Sequence, residues 1–375
     1  MAKADRILVV GGGIAGLSAA IALRRQGYAP ELAERAPGWP AAGAGIALYA
    51  NGVRVLGELG VGEQVCAAAA RLRRWEFRDE RDRPLCATDL DELWADAGPS
   101  VGIERVALQD ALLTGAAGLP ARLGTGVTAL TEDGERVSVT FSDGSSGRYD
   151  LVVGADGIYS TVRAQLISQA PPRYAGLVAW RAVAGTRPDG VTGVTILVGE
   201  GSFAGLVPVG GSRTYGFAAV SGERFDDPAA GRLARLRDRF GGFGGPVPAF
   251  LAALEHDGQL HSGPIEWVEL DRWHTGRVVL IGDAAHASTP HLGEGGSMAL
   301  EDALVLAAEL RAADTVEQAL PAFAARRRPR VRWVQEQSRA AAGAWVLPPP
   351  VRDAALRERG DQMLRDRYRP LIAPP

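Results

Sequence analysis

Cysteine is nearly absent. Cys66 and Cys86 are the only two thiols, and neither stands in a C-x-x-C pair or in a metal-ligand spacing. That excludes a cysteine-built metal site and a dithiol redox motif, and both are expected to be small buried residues. Lysine is scarcer still: Lys3 is the only one, ahead of the first apolar run, which removes Schiff-base chemistry and a P-loop. No apolar run approaches about 18 residues, so no membrane span is expected, and the N-terminus lacks a signal-peptide layout, so the expected location is cytoplasmic. A net charge of -3 supplies no cationic surplus for a phosphate backbone, and nucleic acid is not an expected partner. No nucleophile triad, metal cluster or internal repeat is visible.

What the chain does have is length and patterning. Its 375 residues, 46% hydrophobic and 23% charged, fit a globular protein of two interlocked domains. Arg6-Ile-Leu-Val-Val-Gly-Gly-Gly-Ile-Ala-Gly16 reads as a strand, a tight turn and a helix start, with Gly11, Gly13 and Gly16 in G-x-G-x-x-G spacing. The first glycine makes the turn, the second admits a diphosphate and the third lets helix and strand pack closely. Glu34 closes the next apolar run, at about the 20-residue distance that puts a carboxylate on ribose hydroxyls. Together these predict dinucleotide binding.

Further along, the Gly/Ala-rich stretch 41–51 suits close approach to a flat ligand, and Asn51 is expected to cap a helix that Gly60 ends. Residues 73–97 alternate as half-buried strands, and Arg105 opens a helix with Leu108 and Leu112 on one face. Leu151–Gly157 and Arg277–Asp283 are two more buried strands that end in Gly and Asp. The first leads to a helix start at Ser160, the second to a glycine-rich loop and a helix through about Ala312. Between them, residues 174–220 break into short strands of an antiparallel sheet covered by helices at about 229–240 and 247–254. The last helix, about Val316–Trp345, carries Arg326-Arg-Arg-Pro-Arg330, expected as a solvated face, and the charged tail after Pro348 is expected to be peripheral.

Three motifs in this order, Gly11–Gly16 with Glu34-Arg35, Gly154–Gly157 running on to Arg163, and Gly282–His286 running on through Pro290 to Glu301-Asp302, resemble the flavin-dependent aromatic hydroxylases, the group A flavoprotein monooxygenases of p-hydroxybenzoate and salicylate hydroxylase type. Gly43–Ile46, Arg105 with Leu108 and Leu112, and Tyr174–Arg181 also match, so the resemblance spans about Arg6–Trp345. It implies an α/β fold: a doubly wound Rossmann-like FAD domain (1–72, 98–172 and 271–347) with an inserted antiparallel β-sheet substrate domain (73–97 and 173–270) and C-terminal helices, the tail being 348–375.

The same resemblance implies noncovalent FAD. Gly11, Gly13, Ala15 and Gly16 serve its diphosphate, Glu34 its adenosine ribose, and Arg35 and the Val127 backbone its adenine. Gly43 and Ala44 lie along it, and Arg105 reaches the ribityl or diphosphate region. Asp156 and Gly157 serve both FAD and the passing nicotinamide nucleotide, while Asp283 binds the ribityl chain. Pro290 sits against the flavin ring, and Gly293, Gly295, Gly296 and Ser297 present amides to its pyrimidine end, where a helix N-terminus favours the charge of the reduced ring. NAD(P)H and oxygen then hydroxylate a phenolic or polycyclic aromatic substrate through a flavin hydroperoxide, and the cofactor carries the chemistry. With no second G-x-G-x-x-G, NAD(P)H binds transiently. The near-total use of Arg over Lys, with abundant Ala and Gly, points to a GC-rich bacterial genome, and the resemblance implies a place in secondary metabolism, where such enzymes tailor aromatic metabolites; a monomer or homodimer is expected.

Glu294 stands where relatives often have Gln, and Ser297 where Asn is frequent. The carboxylate either opposes the anionic reduced flavin or points away and complements the helix end. The antiparallel domain roofs the flavin, with pocket candidates Trp180, Arg181, Phe203, Leu206, Tyr215 and Phe217, joined by Leu48 and Tyr49. Arg181 needs a structural carboxylate, the favoured option, or an anionic substrate. His286 is expected to brace its loop. Pro290, His291, Tyr215 and Arg181 are the catalytic candidates, His291 and Tyr215 for phenol deprotonation. A flavin dehydrogenase or oxidase, and a protein keeping FAD structurally that catalyses non-redox ring formation or only binds a ligand, are the alternatives; the missing Trp-x-Trp-x-Ile argues against a halogenase.

Overall fold

A computed structural model describes residues 1–39 and 44–375, so the Gly43 assignment lies outside the described residues. The chain opens with β1 (Ile7–Val10), α1 (Ile14–Arg25), β2 (Pro30–Ala33), β3 (Gly45–Leu48), α2 (Ala50–Glu58), α3 (Gly62–Ala68), β4 (Ala70–Leu72), β5 (Arg74–Asp79), β6 (Pro84–Asp89) and α4 (Leu90–Leu93). It continues through β7 (Ser100–Glu104), α5 (Arg105–Gly115), β8 (Ala121–Arg122), β9 (Val127–Glu132), β10 (Val137–Phe141), β11 (Ser146–Tyr149), β12 (Leu151–Gly154), α6 (Thr161–Leu166), β13 (Arg173–Ala184), β14 (Val194–Val198), β15 (Ser202–Pro208) and β16 (Thr214–Ser221). Last come α7 (Arg232–Phe240), α8 (Val247–Ala252), β17 (His261–Trp267), β18 (Val278–Leu280), α9 (Asp283–His286), α10 (Gly295–Ala312), α11 (Val316–Trp345) and α12 (Pro349–Ile372).

The parallel sheet runs β18-β12-β1-β2-β8. β1, β12 and β18 are buried along their whole length, as expected of parallel strands covered on both faces. Val10 is level with Ala33 and Gly154, and Gly154 with Leu280, so the strand tips finish side by side. Ligands of open α/β sheets sit at such carboxyl edges.

A seven-stranded sheet, β17-β13-β16-β15-β14-β5-β6, forms the second layer. Strand alternation gives it two faces. Val178, Trp180, Ala182, Leu197, Ala204, Leu206 and Ala218 pack under Leu233, Leu236, Phe240, Phe250 and Leu251 of α7 and α8. Leu177, Ala179, Phe203, Val207 and Ala219 join the large core shared with the parallel sheet. Trp180 and Leu206 therefore face the covering helices, which overturns their place in the pocket. The Trp180 indole donates to Asp227 at 2.6 Å and meets Phe240 edge-on. Position 181 has the opposite parity to 180, and the apolar run of β13 concealed which side met the helices.

The C-terminal residues correct the sequence reading most. Residues 349–372 are not a peripheral tail but a 24-residue helix. Leu364, Tyr368 and Leu371, spaced four and three apart, are buried, and Tyr368 is enclosed by Tyr49, Trp75 and Trp94 with ring centroids 5.1 to 5.7 Å away. The arginine run is likewise not a solvated face: Arg327 is fully buried and pairs with Glu301 and Asp302, and Arg330 pairs with Glu301. Asn51 does not cap α2, whose N-cap is Tyr49; it lies inside the helix, buried. Cys86 is half-buried against Gly360 of α12, while Cys66 is exposed, contrary to expectation.

Candidate active site

The glycine turn after β1 is a cradle. Gly11 has φ +108°, and a side chain there would strike the Ala155 carbonyl; Gly16 would strike the Gly11 carbonyl. Gly13 and Ala15, by contrast, stand where α1 begins, and nothing lies within 4 Å of a Cβ added at Gly13. The first amides of α1, which lack intrahelical acceptors, thus meet open space, as diphosphate oxygens require. Glu34 is buried, with Oε2 accepting from the Gly12 amide at 2.7 Å and Oε1 from Ala36 at 2.8 Å. Its carboxylate is tied to the turn it serves. Gln109 of α5 donates to the Gly12 carbonyl at 3.4 Å, and the Trp39 ring covers Gly12. Neither was legible as a site residue in the sequence, for both lie outside any motif. Arg35 is exposed beside Gly126, next to the buried Val127 that starts β9, while Arg105 is exposed at the head of α5, its amide bonded to the Ala44 carbonyl.

At the neighbouring tips the acids take different tasks. Asp156 accepts from the Ser160 hydroxyl at 2.5 Å and from the Thr161 and Val162 amides at 2.7 and 3.1 Å, so its carboxylate closes the start of α6 while Gly157 beside it stays open. Asp283 is exposed in the first turn of α9. Behind it, Asp302 accepts from the Gly282 amide at 2.9 Å, from His286 Nε2 at 2.6 Å and from Arg327 Nε at 2.8 Å. Burial raises the Asp302 carboxyl, but His286 and Arg327 outweigh it and hold it below the usual range. His286 is thus placed to brace the loop.

The helix α10 starts beyond an exposed Pro290 and a left-handed Gly293, φ +69°, whose turn lies against the Tyr49 ring. Gly295 and Gly296 are half-buried, and the first-turn amides through Ser297 are free of helical acceptors. Ser297 and Leu48 have fully buried side chains; Leu48 and Ile46 sit behind Gly296. The Glu294 side chain does not face open space. It is 1% exposed and accepts from Asn51 at 2.9 Å.

Above these loops, Arg181, Phe217 and Tyr215 share the face of the second sheet turned toward the parallel sheet. Arg181 is directly opposite Phe217 across β13 and β16. Tyr215 meets Phe217 at 5.7 Å, and Phe217 meets Phe203 at 6.3 Å, making an aromatic row. The row reaches β3, where Gly45 lies against Tyr215, and the loop before α10, where His291 is edge-on to Phe203 and to Trp345. Arg181 is half-buried and makes no ion pair among the described residues, so the structural carboxylate expected for it is not found there. His291 is buried with neither ring nitrogen bonded, and burial, with the nearby Arg367 charge, pushes its pKa down to about 4. Tyr49 is stacked on Trp75 and Trp94, buried behind the Gly293 turn.

These features fit a flavin dinucleotide: amides free of helical acceptors at two helix starts, a carboxylate anchored at the glycine turn, and an aromatic wall on the second sheet. The sequence model of the family described as FAD binding domain matches residues 5–338. The chain is 36% identical over 329 residues to an aurachin C monooxygenase/isomerase of Stigmatella aurantiaca (85% of this chain, 83% of that one). It is 35% identical over 373 residues to a 3-amino-4-hydroxybenzoate 2-monooxygenase of Streptomyces cremeus (95% and 92%). Among solved structures, Klebsiella pneumoniae HpxO complexed with FAD and uric acid superposes with a TM-score of 0.86 at 32% identity, over 98% of this chain and 94% of that one. The chain therefore belongs to the FAD binding domain family, as an FAD-dependent monooxygenase.

Proposed function

We propose that this enzyme hydroxylates a planar, electron-rich aromatic molecule that carries an anionic or strongly accepting edge. The observation that carries this reading is Arg181, a half-buried cation with no carboxylate partner among the described residues, set beside the Phe217–Tyr215 row on the sheet face that packs toward the parallel sheet. A cation so placed needs an anion or an acceptor edge from the substrate, and the rings supply a stacking surface.

When bound, FAD would pass two electrons from NAD(P)H to molecular oxygen, so that one oxygen atom enters the substrate and the other leaves as water. The protein binds, orients and excludes water. Gly11, Gly13, Ala15 and Gly16 would hold the diphosphate, Glu34 the ribose, Arg35 and the Val127 backbone the adenine, and Asp283 the ribityl chain. Ala44 would lie along the cofactor, Arg105 would reach its ribityl or diphosphate region, and Asp156 and Gly157 would serve both FAD and the nicotinamide nucleotide. The amides from Gly293 to Ser297 stabilise negative charge at the pyrimidine end, and Pro290 limits the space beside the ring. Phe203 and Phe217 keep the substrate face dry. Tyr215, half-buried at the end of the row, would accept a hydrogen bond from a substrate hydroxyl and so orient it. His291 has no hydrogen-bond partner among the described residues and is held neutral by its apolar nest, so it shapes that wall.

The test is a panel of hydroxylated benzoates, hydroxylated nitrogen heteroaromatics and uncharged polycyclic phenols, scored for NAD(P)H oxidation, oxygen uptake and a product one oxygen atom heavier. Acidic aromatics that give coupled product support the reading. Turnover without nicotinamide points to an oxidase, and preference for uncharged polycyclics removes the role of Arg181.

A further inference from the structure

Glu294 is a buried carboxyl that the reaction does not use. One oxygen accepts from Asn51 Nδ2 at 2.9 Å, and the same amide donates to Glu301 at 3.1 Å, so two carboxyls of α10 share one donor. They are not equal. Glu301 is clasped by Arg327 at 2.6 Å and by both arms of Arg330 at 2.8 Å. Among the described residues no cation pairs with Glu294; its Oε1 is buried without an aligned hydrogen bond, and the Ser297 hydroxyl beside it is the nearest further donor. The remaining groups around it are Tyr49 at the head of α2 and Tyr368 of α12, both buried and both neutral at ordinary pH. An ionised Glu294 would be a second negative charge in a dry space whose cations are committed to the first.

We propose that Glu294 is kept as a neutral carboxylic acid, and that its ionisation at alkaline pH opposes the charge-binding N-terminus of α10, making the potential of a bound flavin respond to pH. Burial pushes this carboxyl up to about 8; Asn51, Arg330 and the Ser297 hydroxyl work against the rise, and the Glu301 charge adds to it. The geometry explains the consequence. Glu294 is the N-cap residue of α10, so its charge would lie at the positive end of the helix and offset the partial charge of the Gly295–Ser297 amides. In the neutral form those amides act at full strength on a reduced ring. A glutamine at this position would be neutral at every pH, so the acid makes conditional what glutamine makes constant. The flavin half of the proposal rests on Gly293–Ser297 facing the ring; the proton half does not.

The apoprotein tests the proton half. Between about 4.5 and about 8 the folded chain keeps a proton that the unfolded chain releases, so wild type loses stability relative to E294Q as pH rises through that window, and the difference levels above it. Thermal unfolding should show the E294Q-minus-wild-type gap in Tm widening across the window; a constant gap overturns the proposal. Infrared spectra of the wild-type apoprotein should show a carboxylic-acid band that disappears with a midpoint near 8. Loss of that band already near the ordinary carboxylate range would overturn it even if E294Q did not fold. In the FAD-loaded proteins, the flavin midpoint potentials should coincide at about pH 6 and separate by about pH 9, wild type falling below E294Q. A gap that does not change with pH refutes the flavin half alone.

Discussion

A single arginine distinguishes an acid-binding pocket from a merely aromatic one. Arg181 lies opposite Phe217 with no ion-pair partner among the described residues, and the proposed function gives its guanidinium the acidic edge of the substrate. Replacing it with glutamine removes a charge-assisted bond of about 1.5–3 kcal/mol, or roughly 10- to 150-fold. Arg181→Gln should therefore raise KM for an acidic aromatic by that factor and leave KM for an uncharged analogue nearly level, measured by steady-state NAD(P)H oxidation. At His291 the expected effect is on stability. Its folded pKa of about 4 lies below the ordinary value of 6.5. The folded state therefore binds fewer protons than the unfolded state between those values, and stability is lost as pH falls through that window. His291→Phe should lack this loss, so denaturant unfolding at about pH 6.5 and about pH 4 should show the variant gaining on wild type by up to about 3 kcal/mol. The turn at Gly11 and Gly16 was legible because the spacing requires backbone that carries no side chain there. That Trp180 faces the covering helices was not, because neighbouring residues of one strand face opposite sides, and a continuous apolar run leaves their assignment to the packing.

Among the elements, α10 and α11 are joined by buried charge. Arg327 lies between Glu301 and Asp302 with all three side chains sealed from water. An arginine run on a helix reads as solvated, and only the partner helix, with its adjacent Glu301-Asp302, reveals that one arginine points inward. Removing a member of such a cluster strands the others and typically costs about 3–5 kcal/mol. Arg327→Met should lower stability by that amount, and it should also loosen the Gly282–His286 loop, because Asp302 holds both the Gly282 amide and His286. The measurements are Tm and FAD dissociation followed by flavin fluorescence. A large fall in Tm with FAD affinity unchanged would show that the cluster serves packing alone.

At the scale of the whole molecule, the family match ends at residue 338, yet the chain continues for another buried helix. α12 closes the structure from behind. Tyr368 donates to the Leu292 carbonyl at 2.5 Å, immediately before the Gly293 turn. Arg330 and Arg54 donate to the last carbonyls of α12, cations at a helix C-terminus where they are favoured. The charged residues of this segment suggested solvent, but the four-and-three spacing of Leu364, Tyr368 and Leu371 was the signal that it is an amphipathic helix. Burying these side chains contributes on the order of 1.5–3 kcal/mol each, against a total stability of about 5–15 kcal/mol for a typical domain. A chain ending at residue 348 should therefore unfold at much lower denaturant, and it should expose the aromatic floor formed by Tyr49, Trp75 and Trp94. Tyr368→Phe separates packing from positioning: it keeps the ring and loses one hydrogen bond, about 1 kcal/mol. That variant should stay folded with a small fall in Tm and release FAD faster, since the carbonyl beside the Gly293 turn loses its anchor. If FAD release is unchanged in Tyr368→Phe while the truncated chain loses the cofactor, α12 acts through its bulk and the hydroxyl carries no positioning role.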